Sequence, residues 1–211
     1  MDIRRALLYV VAAAVAILIG LGIGYWTFSH TAAPPETAAL LLNPPKALPA
    51  FSLEDDSGAA FAKADLNGHW SLLYFGYTHC PDACPTTLAD LNKMLVQIKT
   101  LPAAEQPRVY FISVDPKRDT LTLLTQYVRY FNPGFTGVTG TLEQLRILTK
   151  PLGVAFSYEP ADQSGNYSVD HSSVVFLINP KGEEVAIYTP PMIPARMADD
   201  YRTIVNYYGD R

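Results

Sequence analysis

Ser71-Leu72-Leu73-Tyr74-Phe75-Gly76-Tyr77 runs directly into Thr78-His79-Cys80-Pro81-Asp82-Ala83-Cys84-Pro85-Thr86-Thr87-Leu88, and the fold turns on this stretch. Its first part is a short, continuous apolar run, the pattern of a central strand covered on both faces. From Thr86 to Lys99 the apolar positions recur at helical spacing, with Leu88, Leu91, Leu95 and Ile98 on one face. Strand, loop and helix therefore follow one another within 30 residues. Proline has no N–H to donate and constrains the residue before it, so Pro85 is expected at the first helical position. Cys84 then falls at the helix N-cap, with Cys80 in the preceding loop.

The pattern continues on the C-terminal side. Val109-Tyr110-Phe111-Ile112-Ser113-Val114 reads as a second buried strand. Asp119 is expected to cap a helix that carries Leu123, Leu124, Tyr127, Val128 and Phe131. A further helix around Leu142–Leu148 follows a short Gly-rich link. Val174–Ile178 and Glu184–Tyr188 are joined by Asn179-Pro180-Lys181-Gly182, a turn short enough to make them antiparallel neighbours. A helix from about Pro194 to Tyr207 closes the chain. With one helix set aside as an insertion, the order is β-α-β-α-β-β-α. The expected class is α/β, a thioredoxin-like fold with an added N-terminal β-hairpin near Phe51–Phe61 and an inserted helix.

Before the domain, Ala6 to Phe28 runs without a charge. About 20 apolar residues in a helix span the hydrocarbon core of a bilayer. Arg4 and Arg5 precede the segment and no Lys or Arg follows closely, so the positive-inside rule places residues 1–5 in the cytoplasm. Tyr25 and Trp26 fall where an interfacial aromatic belt would lie. A cleaved signal peptide would have a shorter apolar region and a small-residue cleavage site. The expectation is one transmembrane anchor over 6–28, an Ala/Pro-rich tether over 29–47 and a folded domain over 48–211, on the periplasmic side of a bacterial inner membrane.

Composition excludes some functions. The 211 residues include sixteen basic and twenty acidic side chains, for a net charge of −4, with no basic run. A nucleic-acid surface needs clustered Lys and Arg, so that class is set aside. Only two cysteines are present, four positions apart. A disulfide between them closes too small a ring to restrict much of the unfolded chain, so a structural staple is a weak reason for the pair.

The strand-to-helix position is where α/β folds place ligands. Unpaired N–H groups and the helix dipole favour thiolate there, the form that binds metals and attacks disulfides. Cys-x-x-x-Cys is one residue longer than the usual redox spacing and frees both sulfurs to face a common atom, without forbidding a disulfide. The histidines are His30, His69, His79 and His171. His30 lies at the membrane edge, His69 in a turn before the first strand, and His79 beside Cys80 in an extended loop. His171 directly precedes the strand Val174–Ile178, and in a thioredoxin-like fold that loop packs beside the cysteine loop. Cys80, Cys84 and His171 are thus the expected metal ligands. Asp170 is expected either to orient the free ring nitrogen or to supply a weak axial oxygen. Two thiolates and one imidazole suit Cu(I); Cu(II) would add a weaker oxygen, and structural zinc would want a fourth strong ligand. Met94, Met192 and Met197 could offer thioethers but read as packing or surface residues.

Three segments together, Tyr74 to Leu88, Ile112-Ser113-Val114-Asp115-Pro116-Lys117-Arg118-Asp119-Thr120, and Asp170-His171-Ser172-Ser173, resemble the Sco/SenC copper-binding proteins. The resemblance covers roughly residues 48–208. It implies copper ligation by Cys80, Cys84 and His171, and a role in assembling the dinuclear copper centre of cytochrome c oxidase subunit II, or of a similar copper protein, by delivering copper or reducing that site's cysteines; another copper chaperone is a candidate donor, which the sequence itself does not identify. Asp115 resembles the family's acidic residue near the site; a purely structural role in the Pro116–Asp119 turn is an equal alternative. Two further readings stand beside copper delivery: a thiol–disulfide oxidoreductase using a Cys80–Cys84 disulfide, and a redox or copper sensor. The first would make the chain an enzyme, whereas a metallochaperone is not one.

Overall fold

A computed structural model describes residues 3–29 and 34–209, in two compact units that divide after Pro34. The first is helix α1 (Ile3–Ser29). Its segment Leu7–Gly24 is long and apolar enough to cross a membrane. His30 lies outside the described residues, as do the side chains of Arg5, Tyr25 and Trp26.

The second unit is built on one eight-stranded mixed sheet. In chain order its elements begin with β1 (Leu40–Ala47), β2 (Ser52–Asp55), β3 (Ala60–Ala62), β4 (Ser71–Gly76), α2 (Ala83–Ile98) and β5 (Arg108–Ser113). Next come α3 (Leu121–Phe131), β6 (Thr136–Thr139), α4 (Leu142–Leu152), β7 (Phe156–Tyr158) and β8 (Val169–His171). β9 (Val175–Ile178), β10 (Glu183–Tyr188) and α5 (Pro194–Gly209) complete it. The strand order is β1-β10-β9-β4-β5-β6-β2-β3, with β7 and β8 forming a separate two-stranded ribbon. β4 runs parallel to β5 and antiparallel to β9, and β5 runs parallel to β6. This is the thioredoxin-like arrangement expected, with β2–β3 as the added hairpin.

β4 lies in the middle of the sheet and all six of its residues are buried. Alternation divides them between two cores. Leu72 and Tyr74 face a layer that includes Leu88, Leu91 and Met94 of α2, Leu124 and Val128 of α3, and Tyr201 and Ile204 of α5. Leu73 and Phe75 face the other layer, with Leu145, Leu148 and Leu152 of α4 and Phe51 and Phe61 of the hairpin region. Helices thus cover both faces of β4, which explains its unbroken apolar run.

Four features differ from the sequence reading. Residues 29–47 are not tether throughout: 40–47 form the edge strand β1 against β10, and the Asp200 carboxylate accepts the N–H groups of Ala38 at 3.1 Å and Ala39 at 2.9 Å. Pro44 and Pro45 argue against a strand, yet an outermost strand tolerates proline because one side of its ladder stays unpaired. Strand β6 occupies the Gly-rich link before α4, being only four residues long and containing Gly137. Helix α2 starts at Ala83, so Cys84 and Pro85 are inside its first turn, where N–H groups lack intrahelical acceptors anyway. Finally, the α3 cap is Thr120, whose hydroxyl accepts Leu123 N–H; Asp119 is buried and works elsewhere.

Candidate metal centre

The loop Tyr77–Asp82 leaves the C-terminal end of β4 and turns into α2. Cys84 is fully buried and Cys80 partly so, and both are free thiols. Gly76 creates the space for the Cys84 sulfur. A Cβ at this position would lie 2.6 Å from Cys84 Sγ and 2.8 Å from Phe111 Cε2, so any larger residue would displace the sulfur. The backbone N–H of Cys84 points at Cys80 Sγ, 3.4 Å away.

His171 arrives from the β7–β8 ribbon, 87 residues later in the chain, and its Nε2 is 3.4 Å from Cys84 Sγ. One ligand atom each from Cys80, Cys84 and His171 lies within 4.8 Å of the other two. Donors held about 2.0–2.3 Å from one ion are themselves roughly 3.5–4 Å apart, so a slight contraction would place all three on a common centre. The rings of Tyr77 and Tyr74 meet the imidazole edge-on, with centroids at 5.9 Å and 6.3 Å. His171 Nδ1 lies 3.3 Å from the Ser172 carbonyl, the kind of contact that fixes which ring nitrogen is free.

Asp170 does not take either place expected of it, whereas Asp115 takes the structural alternative, within the turn that follows it. Asp170 is exposed and pairs with Ser157 across the ribbon. Neighbouring strand residues point to opposite faces, so Asp170 turns away as His171 turns in; the Ser172 carbonyl occupies its expected place at Nδ1. Asp115 is fully buried and accepts the Arg118 Nε–H at 2.5 Å and the Tyr167 hydroxyl at 2.8 Å. His79 and His69 stay out of the cluster; His79 lies 3.0 Å from the Thr78 hydroxyl, and His69 lies 3.2 Å from the Tyr110 hydroxyl. Met94 is buried in the core as expected, and Met197 is buried as well.

Two clusters that sequence reasoning missed hold the parts together. Asp119 accepts hydrogen bonds from Thr78 N–H at 2.9 Å, Thr78 Oγ1 at 2.6 Å and Ser113 Oγ at 2.6 Å, tying the cysteine loop to the end of β5. Arg118 does the same for the histidine ribbon. Its Nη1 donates to the Tyr167 carbonyl at 2.8 Å, and its guanidinium stacks 3.5 Å from the centre of the Tyr167 ring and 5.6 Å from that of Tyr77. Tyr158 adds a bond from its hydroxyl to the Val114 carbonyl, 2.5 Å. The one available signal was Tyr167 itself, a single aromatic within the polar run Ala161–Ser168.

Electrostatics separates the two sulfurs. The Cys84 side chain, followed by His171 and the N–H groups of Asp82 and Cys84, stabilises negative charge on Cys80 against partial burial and pulls its thiol down to about 3. The adjacent Cys80 sulfur, with burial, pushes Cys84 far above its ordinary value. Cys80 is therefore the more acidic sulfur of the metal-free pair and Cys84 the less acidic.

Two outcomes follow from this geometry. Iodoacetamide should alkylate Cys80 of the metal-free chain at a rate nearly constant from about pH 5 to pH 8, leaving Cys84 unmodified. A rate rising about tenfold per pH unit up to pH 8 would contradict a depressed thiol. Arg118→Ala strands the buried Asp115 carboxylate, a loss of about 3–5 kcal/mol. Hydrogen exchange should then show lost amide protection in β7 and β8 while β4 and β5 keep theirs; uniform loss, or none, would contradict the clamp.

Known proteins share this fold and sequence pattern. Residues 42–206 match the family model described as SCO1/SenC. The chain is 38% identical over 152 residues to the mitochondrial SCO2 homolog of Bos taurus; the match takes in 72% of this chain and 57% of the bovine protein, so the chain spans a little over half of that relative. The crystal structure of Arabidopsis thaliana ScoI with copper bound superposes with a TM-score of 0.70 at 34% identity, covering 75% of this chain and 98% of that one. Yeast Sco1 with copper bound gives a TM-score of 0.70 at 31% identity, over 79% of this chain and 91% of that one. With a family model matched from β1 to α5 and solved relatives of the same fold, the chain belongs to the SCO1/SenC family.

Proposed function

We propose that this protein binds copper through Cys80 Sγ, Cys84 Sγ and His171 Nε2, and serves the assembly of cytochrome c oxidase by delivering that copper to the dinuclear centre of subunit II. The carrying observation is the convergence of those three atoms within 4.8 Å of one another. Two sulfurs and one nitrogen, without a fourth strong donor among the described residues of the cluster, favour soft Cu(I) over structural zinc. Copper-bound structures of the similar plant and yeast proteins support the choice of metal. The oxidase as destination follows from the family resemblance. In this reading α1 anchors the domain in a bacterial inner membrane, with the copper site in the periplasm and a second copper chaperone as donor.

One observation favours a companion role as a thiol–disulfide reductant that prepares the subunit II cysteines. Cys80 is a partly exposed sulfur with its thiol drawn down to about 3, beside a second thiol that could resolve a mixed disulfide. Attack by Cys80 on a target disulfide, displacement by Cys84 and release of the reduced target would leave a Cys80–Cys84 disulfide. His171 assists that cycle only by stabilising the Cys80 thiolate, whereas in copper binding it is a ligand, so one variant separates the two roles.

The full chain in mild detergent should take up about one copper per molecule, as expected of a single site with two thiolates and one imidazole, and its Cu(II) form should absorb through sulfur-to-copper charge transfer. Cys80→Ser, Cys84→Ser and His171→Ala should each abolish that band. An unchanged spectrum in His171→Ala would overturn the ligand set, and reduction of a copper-site peptide that survives His171→Ala but not Cys80→Ser would favour the reductase.

A further inference from the structure

Strand β4 brings a second functional group to the cysteines. Tyr74 and Gly76 are two residues apart, so they share the face of β4 that lies under the first turn of α2. Gly76 admits the Cys84 sulfur to that face. Tyr74 is fully buried there, and its hydroxyl has no hydrogen-bond partner among the described residues. Its ring packs in one cluster with Cys84 and Leu88 and lies 6.3 Å from the His171 imidazole between centroids; the Cys84 and Thr87 side chains bear on its hydroxyl, but neither forms a well-aligned hydrogen bond with it.

A buried hydroxyl without a partner is unfavourable, and a phenylalanine would fill the same space without that penalty. A neutral thiol sulfur is only a weak acceptor. A metal-bound Cys84 sulfur has given up its proton to solvent and carries negative charge, and such a sulfur accepts hydrogen bonds well. A group left unsatisfied in the metal-free protein would thus find its partner when the metal arrives.

Taking the copper site described above as its basis, we infer that the Tyr74 hydroxyl donates a hydrogen bond to Cys84 Sγ in the metal-bound protein and tunes the copper–sulfur bond. Tyr74 acts through Cys84 and is a positioning residue, in the way that outer groups orient and adjust metal ligands. It makes the buried sulfur the more strongly held of the two and leaves Cys80, nearer the surface, as the sulfur that exchanges first.

Tyr127 supplies an internal control. Its hydroxyl is also buried and without a hydrogen-bond partner among the described residues, and it lies in the same core, its ring 5.4 Å from that of Phe111. It feels the charge of the cysteines through space without a hydrogen bond to either.

The test compares the full chain with Tyr74→Phe and Tyr127→Phe, using copper alone as the probe. In Tyr74→Phe the metal-free melting temperature should stay level or rise, because an unsatisfied group has been removed. Its Cu(I) affinity should fall about tenfold, the range for one hydrogen bond to a charged acceptor, and the extra thermal stability conferred by copper should shrink to match. The Cu(II) charge-transfer band should persist but move to lower energy, since the sulfur has lost a donor. Tyr127→Phe should reproduce the stability change without altering the band or the affinity. An identical band and affinity in Tyr74→Phe, with copper binding by the parent chain intact, would overturn this inference alone. So would a metal-free melting temperature several degrees lower, which would mean that the hydroxyl already had a partner. Failure of the parent chain to bind copper at all would overturn the copper reading and this inference with it.

Discussion

The site depends on one long-range meeting, Cys84 Sγ against His171 Nε2 at 3.4 Å, between residues 87 positions apart. Neither side reaches that point unaided. The sulfur sits under the first turn of α2 because Gly76 has no side chain to exclude it. The imidazole sits on a ribbon of two three-residue strands outside the main sheet, too short to hold its own position. What keeps the ribbon in place is the Asp115–Arg118–Tyr167 cluster at the end of β5, while Asp119, from the same turn, holds the cysteine loop. The short turn from Asp115 to Asp119 thereby fastens both halves of the centre to one strand end.

Charge gives this scaffold its chemical direction. Helix α2 points its N-terminal amides at the sulfurs, and the Cys84 N–H reaches Cys80 directly. Cys80 is the more acidic of the two sulfurs and Cys84 the less, so the shallower sulfur is the readier anionic donor. The two sulfurs also differ in burial, Cys84 being fully enclosed and Cys80 partly exposed.

Much of this is legible in the residues. The unbroken apolar run of β4, the two cysteines at its exit and the helical spacing of α2 depend on local pattern, and the structure has all three. His171 emerges through topology rather than through its neighbours, because the expected fold brings the start of β9 beside the cysteine loop. Illegible elements had little local signal. Strand β6 is four residues with a glycine, and β1 contains two prolines that only its edge position accommodates. The roles of Asp115 and Asp170 depended on side-chain direction, which alternation within β8 and a tyrosine 52 residues distant decided. The Tyr74 hydroxyl could not be foreseen either, since a tyrosine in a buried strand looks like any core aromatic until its surroundings are known.

X-ray absorption at the copper edge of the Cu(I)-loaded chain tests the central claim most directly. The account predicts a single shell of two sulfurs and one imidazole nitrogen, with the nitrogen contribution lost in His171→Ala. A shell of sulfur alone, or one that His171→Ala leaves unaltered, would contradict it.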